Sequence, residues 1–126
     1  MSNSLPNAAI FGVEGQALSA EEAALFRETN PLGLILFARN IATPEQVREL
    51  IAAFKACITH PYPLILVDQE GGRVARFKPP HWRKMPPAGI FAMLADRDPE
   101  AAEEAMILNY RLMAEELRPL GITVNC

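Results

Sequence analysis

The segment best suited to chemistry is a polar run that follows a short apolar stretch. Residues 68–77 read Asp-Gln-Glu-Gly-Gly-Arg-Val-Ala-Arg-Phe and come directly after Leu-Ile-Leu-Val at 64–67. The Asp68 carboxylate can accept hydrogen bonds from two neighbouring sugar hydroxyls, and the planar guanidinium of Arg76 can donate to hydroxyls or to a carboxylate. A turn with positive φ at Gly71 and Gly72 would bring both side chains to one pocket. The residues therefore indicate a site for a polar ligand such as a sugar.

A purely structural interpretation of these residues stays open. An aspartate at a strand end can cap a turn, and Arg73 or Arg76 can pair with it in the absence of a ligand. Glu14 is open in the same way, because it could line a pocket at the end of the first strand or cap a turn there. His60 is predicted to be an exposed residue of a Thr-His-Pro turn, and His81 to help pack a proline-rich loop rather than to catalyse.

Four short apolar runs predict the strands of a parallel sheet. They occupy residues 7–13, 34–37, 64–67 and 122–124. The runs lack polar alternation, which is typical of strands that helices bury on both faces. They are also too short for helices and are bounded by turn residues.

Capping patterns predict three helices between these strands. Ser19 with Glu22 forms a capping box, and Thr43 with Gln46 forms a second one ahead of a buried helical stripe. A third, longer helix ends at Gly121. The stripe of the second helix consists of Val47, Leu50, Ile51, Phe54 and Cys57. The apolar face of the third helix, which is predicted to pack in the core, consists of Ala102, Met106, Tyr110, Met113 and Leu117.

Composition excludes several classes of protein. The 126 residues carry 12 Lys and Arg against 15 Asp and Glu, a net charge of −3, and half of them are hydrophobic. This acidic balance gives no footprint for nucleic acid or an anionic membrane, and no apolar run approaches the about 18 residues of a membrane span. Residues 1–6 show no secretory signal, and Cys57 and Cys126 form neither a disulfide framework nor a metal motif. We expect a globular cytoplasmic chain without a metal.

The element order βαβαβαβ fits two α/β architectures. A (β/α)8 TIM-type barrel needs about 250 residues, so this chain would supply roughly its first half. A small, open, doubly wound sheet is the alternative. Ending at the fourth strand would leave the backbone groups of that strand unpaired, which favours the barrel.

Two segments resemble the N-terminal domain of glycoside hydrolase family 3, and most closely its bacterial cytoplasmic β-N-acetylhexosaminidases. They are Leu-Ile-Leu-Phe-Ala-Arg-Asn at 34–40 and Val-Asp-Gln-Glu-Gly-Gly-Arg-Val-Ala-Arg-Phe at 67–77. The resemblance runs from about residue 8 to residue 126. It includes Pro-Pro-His-Trp at 79–82 and Leu-Gly-Ile-Thr-Val-Asn at 120–125.

The resemblance implies a fold and an activity. Residues 1–126 would form the incomplete N-terminal part of a single barrel domain. The enzyme would remove terminal, non-reducing, β-linked N-acetylglucosamine from peptidoglycan-derived fragments, with retention, through an Asp nucleophile and without a cofactor. The nucleophile and the His-containing acid/base loop are expected beyond residue 126, so no catalytic residue is assigned here and the 126 residues alone are expected to be inactive.

Two positions of the family's sugar pocket carry over to this chain. Asp68 matches a residue that binds sugar hydroxyls, and Arg76 matches one that shapes the same pocket. Glu70 and Arg73 are interpreted as supporting residues of the loop. Gly12 stands where several family members have an aspartate, which would remove an auxiliary contact.

Two other functions stay open from the sequence. One is a free-standing, non-catalytic, sugar-binding α/β module that uses the same Asp68 and Arg76. The other is a phosphate- or nucleotide-binding switch domain built on Gly71 and Gly72. The second is disfavoured because these glycines do not lead directly into a helix whose N-terminus could hold phosphate.

Overall fold

The computed structural model describes residues 5–126, and within this range four strands form one parallel sheet. The strands lie side by side in sequence order, and every neighbouring pair is parallel. They are β1 (Asn7–Phe11), β2 (Pro31–Leu36), β3 (Leu64–Val67) and β4 (Val124–Asn125). A doubly wound sheet reverses its strand order, whereas this sheet winds in one direction, as a barrel does. The barrel-type prediction is confirmed, and the doubly wound alternative is wrong.

Four α-helices lie within the described residues, one more than the sequence predicts. They are α1 (Ala20–Thr29), α2 (Pro44–Lys55), α3 (Gly89–Ala95) and α4 (Pro99–Leu117). The additional helix is α3, which directly follows the proline-rich loop. Its N-cap residue is Ala88, which offers no side-chain cap, so the sequence carried no start signal for it.

The capping box of α1 is confirmed and also fixes the loop after β1. The Glu22 carboxylate accepts hydrogen bonds from the backbone N–H of Ser19 and of Glu14, both at 2.8 Å, and the Ser19 hydroxyl accepts from the Glu22 N–H at 3.1 Å. Burial raises the pKa of Glu22, but these backbone and hydroxyl contacts favour its charged form, and the net pKa is lowered. An ionised Glu22 therefore stabilises both the helix start and this loop.

The predicted capping box of α2 is wrong in one of its two halves. The Thr43 hydroxyl accepts from the Gln46 N–H at 3.2 Å, as expected. The Gln46 side chain, however, accepts from the Ala42 N–H at 2.9 Å instead of from Thr43. Its amide also donates to the carbonyls of Gln16 at 2.6 Å and Asn40 at 2.9 Å. These tertiary contacts draw the Gln46 side chain away from the predicted position.

The core lies between the sheet and its helices. The residues of the predicted α2 stripe are all buried, although Cys57 lies just beyond the end of the helix. The rings of Phe26 and Phe54 meet edge to face at 5.2 Å. On α4, three predicted core residues are buried: Ala102, Met113 and Leu117. The core assignment of Met106 and Tyr110 is wrong, because each is 41% exposed. Both share the buried face of α4, but the described residues do not cover them.

None of the described helices is long and apolar enough to span a bilayer. The expectation of no secretory signal concerns residues 1–6, of which residues 1–4 lie outside the described range.

Candidate functional site

The polar segment leaves the carboxyl end of β3 and turns back sharply. Gly71 and Gly72 adopt φ values of 99° and 59°, as the sequence predicts. The backbone N–H groups of Glu70 and Gly71 both donate to the Val74 carbonyl, at 2.9 and 3.1 Å. A Cβ atom at Gly71 would lie 2.2 Å from the carbonyl oxygen of Pro86. The glycines are therefore required both for the turn and for the close approach of the following loop.

The turn brings the two predicted site residues together. The Nη2 atom of Arg76 donates a hydrogen bond to Oδ2 of Asp68, and the two atoms are 3.1 Å apart. Their side chains are 28% and 27% exposed, so both are accessible from solvent while partly screened from it. The Nε atom of Arg76 is buried and has no hydrogen-bond partner among the described residues. This ion pair is compatible with both interpretations of the sequence, namely a pocket for a ligand and a purely structural ion pair at a strand end.

Sequence reasoning missed Gln69, which organises this turn. The residue is 2% exposed. Its Oε1 accepts from the backbone N–H of Arg76 at 2.7 Å and of Phe77 at 3.0 Å, and its Nε2 donates to the Phe77 carbonyl at 3.0 Å. Gln69 lies between Asp68 and Glu70, and a glutamine between two charged residues looks the same in sequence whether it is buried or lies on the surface.

Asn125 was also missed, and it connects the turn to the last strand. It lies in β4, and its Oδ1 accepts from the Gln69 N–H while its Nδ2 donates to the Gln69 carbonyl, both at 2.8 Å. The Asn125 side chain thus pairs with the backbone just beyond the end of β3. Its partner is 56 residues away in sequence.

Another amide side chain, the buried Asn40, joins the ends of β1 and β2. The Nδ2 of Asn40 donates to the carbonyls of Val13 at 3.0 Å and Gly15 at 2.7 Å, and its Oδ1 accepts from the Phe37 N–H at 2.9 Å. The neighbouring Arg39 donates from Nε to the Val13 carbonyl at 3.0 Å. The carboxyl ends of the first two strands are therefore held together.

Gly12 lies beside the guanidinium of Arg39. A Cβ atom at Gly12 would stand 3.5 Å from Nη2 of Arg39. An aspartate there, as the family resemblance has it, would therefore lie next to a cation. Arg39 instead lies with its guanidinium 4.8 Å from the centre of the Phe37 ring.

The remaining candidates have structural contacts. His60 was predicted to be exposed, but it is half-buried and its Nε2 lies 2.8 Å from the Pro31 carbonyl at the start of β2. His81 is exposed and lies 5.5 Å, ring to ring, from the buried Trp82, as expected for loop packing. Glu14 is exposed and belongs to the turn that Glu22 holds.

A cavity of about 270 Å³ adjoins the site. It lies between the turn Ala38–Asn40 and the loop that follows Arg76, and its charged or titratable lining consists of Arg76, Lys78 and His81. No group of His, Cys, Asp and Glu residues within the described range could hold a metal ion.

This arrangement, a singly wound parallel sheet with polar residues at the carboxyl ends of its strands, defines a barrel-type α/β protein. The candidate site lies at the edge of the sheet where such barrels carry their active sites. No family model matches the chain. The chain is 43% identical to a β-hexosaminidase of Alkalilimnicola ehrlichii over 113 residues, and this alignment covers 90% of the chain. A β-hexosaminidase of Xylella fastidiosa is 40% identical over 116 residues.

The chain is also similar to solved structures of related enzymes. The crystal structure of NagZ from Neisseria gonorrhoeae in complex with zinc ion matches 93% of this chain with a TM-score of 0.86 at 34% identity. A glycoside hydrolase family 3 β-N-acetylglucosaminidase from Paenibacillus matches 92% with a TM-score of 0.72, also at 34% identity. The resemblance to glycoside hydrolase family 3 is thereby confirmed. The chain spans 32–34% of the length of the two β-hexosaminidases and 35% of the NagZ chain.

Proposed function

We propose that this chain forms the sugar-binding part of the active site of a family 3 β-N-acetylhexosaminidase. The observation that carries the proposal is the half-buried pair of Asp68 and Arg76 at the carboxyl end of β3. In such a site the Asp68 carboxylate accepts hydrogen bonds from sugar hydroxyls while Arg76 donates to hydroxyl oxygens. The pair holds itself in place through its 3.1 Å contact before the sugar arrives.

The proposed substrate is a terminal, non-reducing, β-linked N-acetylglucosamine on a peptidoglycan-derived fragment, hydrolysed in the cytoplasm. The relatives named β-hexosaminidase support the reaction class. The NagZ of Neisseria gonorrhoeae, of which a crystal structure in complex with N-trifluoroacetyl-D-glucosamine is known, supports an N-acylated glucosamine as the sugar. The net charge of −3 supports a small glycan rather than nucleic acid or a membrane as the partner.

In the proposed enzyme, this chain binds the sugar and the groups that break the glycosidic bond lie elsewhere. Hydrolysis with retention needs a nucleophile on one face of the sugar and an acid/base group beside the leaving oxygen. We assign no described residue to either role, and the proposal takes both from the part of the relatives' length that this chain does not span. The residues of this chain bind and orient the sugar, which raises the rate by holding the reacting carbon in position. No metal or cofactor enters the proposal.

A reconstituted protein tests this proposal. The completed enzyme is this chain joined to the remaining two thirds of the Alkalilimnicola β-hexosaminidase, in place of the segment that it matches. We expect the completed enzyme to hydrolyse 4-nitrophenyl N-acetyl-β-D-glucosaminide and the 126 residues alone to show no hydrolysis. The 4-nitrophenyl β-D-glucoside serves as the control substrate and should react far more slowly.

Two outcomes would contradict the proposal. Hydrolysis by the purified 126-residue chain would mean that it contains its own catalytic groups. An inactive completed enzyme, with the unaltered relative active and both proteins folded, would favour the alternative of a non-catalytic sugar-binding module.

A further inference from the structure

Gln69 is bound to the backbone at Arg76 on one side and to β4 on the other. We infer that Gln69 is a positioning residue for sugar binding, which acts by holding Arg76 where its guanidinium meets Asp68 and the sugar. The inference rests on the proposed function and adds to it a residue that touches no substrate.

Gln69 holds the backbone at residues 76 and 77. Its side-chain amide pairs with residues 76 and 77 much as a neighbouring strand would, accepting from two N–H groups and donating to one carbonyl. These bonds fix the backbone from which the Arg76 side chain starts. A shift of this backbone would displace the whole Arg76 side chain, so these bonds keep the origin of the side chain at the distance from which its guanidinium reaches Asp68.

The guanidinium of Arg76 has few polar contacts of its own within the described residues. Within the described residues the guanidinium donates one hydrogen bond, to Asp68 at 3.1 Å, and its buried Nε has no hydrogen-bond partner. The orientation of Arg76 therefore depends on the backbone that Gln69 holds and on Asp68. Loss of the Gln69 amide would also leave the N–H groups of residues 76 and 77 without their acceptor.

Gln69 is itself held by the side chain of Asn125 in β4. Both hydrogen-bonding groups of the Gln69 backbone pair with the side chain of Asn125, each at 2.8 Å. A continuous series of hydrogen bonds thus leads from Asn125 through Gln69 to Arg76. The position of the sugar-binding cation is thereby tied to the pairing of β3 with β4.

Asn40 provides a matched control for a merely structural role. It is also a fully buried amide and makes three side-chain hydrogen bonds, to Val13, Gly15 and Phe37. None of these bonds involves Arg76 or Asp68. If buried amides at this edge of the sheet only stabilise loops, then Gln69→Leu and Asn40→Leu should behave alike.

A double-mutant cycle in the completed enzyme tests the inference. We expect Gln69→Leu to lower kcat/KM for the chromogenic N-acetylglucosaminide about tenfold when Arg76 is present, which corresponds to about 1.4 kcal/mol. In the Arg76→Ala background the same change should cost less than about twofold, because the residue through which it acts is gone. Asn40→Leu should lower kcat/KM by the same factor in both backgrounds. Thermal unfolding of each variant verifies that the folded protein is being compared.

The result that would overturn the inference is equal losses from Gln69→Leu in both backgrounds. If Gln69→Leu does not fold, Asn125→Ala replaces it, since this change leaves the Gln69 side chain intact. It removes the two hydrogen bonds to the Gln69 backbone, together with a 3.2 Å contact between the Asn125 amide and the Met113 sulfur. The Asn125 variant should show a smaller loss, about threefold, that again disappears with Arg76→Ala; a loss that persists overturns the inference. A failure of the proposed function looks different, because the completed enzyme would then be inactive before any substitution.

Discussion

Replacing Asp68 by alanine in the completed enzyme is expected to lower kcat/KM for 4-nitrophenyl N-acetyl-β-D-glucosaminide by tenfold or more. The reason is that a hydrogen bond to a charged group contributes about 1.5–3 kcal/mol, and each 1.4 kcal/mol is a factor of about ten. The Asp68 carboxylate is 27% exposed and lies at the carboxyl end of β3. Steady-state kinetics of the purified variant provide the measurement.

The design must separate loss of a ligand contact from loss of the ion pair. If Asp68 only pairs with Arg76, the substitution lowers the thermal midpoint and leaves kcat/KM of the folded protein unchanged. Glu45→Ala is the matched control, because Glu45 also forms an ion pair, with Arg48 at 2.7 Å, but is 71% exposed at the start of α2. An unchanged kcat/KM in Asp68→Ala would show that Asp68 does not contact the substrate.

Gly71→Ala is expected to lower the free energy of unfolding of the completed enzyme by about 2–3 kcal/mol, because strained backbone of this kind costs about 1–3 kcal/mol and the new methyl group also meets a neighbour. The φ of 99° is unfavourable for any residue with a Cβ atom, and that atom would lie 2.2 Å from the Pro86 carbonyl oxygen. Since backbone cannot yield as a flexible side chain does, the turn itself must open. Urea unfolding followed by circular dichroism measures the change.

The same substitution should impair the site, because an opened turn no longer brings Asp68 and Arg76 together. Gly89→Ala is the control: the space around Gly89 is open and the residue begins α3. That change should be neutral or slightly stabilising, as alanine favours helices over glycine by about 1 kcal/mol. Equal stability and activity in both glycine variants would mean that the turn does not need its glycines.

The fold was predictable wherever its signals are local. The Ser19 box, the Thr43 cap and the apolar stripe of α2 each involve residues within about three helical turns of each other, and the structure contains all three. Two features lacked a local signal. The helix α3 has no side-chain cap, and the side chain of Gln46 donates to the carbonyl of Gln16, which is distant in sequence. Strand order is likewise not local, and only the structure decided between barrel and doubly wound sheet.

The site was predictable in its charged members but not in its amides. Asp68 stands out because it directly follows a buried strand, and Arg76 because it ends the polar run that starts at Asp68 and contains two glycines. Gln69, Asn40 and Asn125 do not stand out, since the same side chains occur on any protein surface. Their partners lie up to 56 residues away. The residues alone indicated only a polar ligand such as a sugar, and the family resemblance narrowed the expected ligand to N-acetylglucosamine.

A crystal structure of the completed enzyme with N-acetylglucosamine would test the claim that Asp68 and Arg76 bind the terminal sugar. The prediction is a sugar hydroxyl within about 2.5–3.0 Å of an Asp68 carboxylate oxygen and a sugar oxygen within about 2.7–3.2 Å of an Arg76 nitrogen. Gln69 should keep its bonds to residues 76 and 77 in that complex. A sugar bound elsewhere in the barrel, with Asp68 and Arg76 contacting only each other, would contradict the claim and leave the pair a structural feature of the β3 turn.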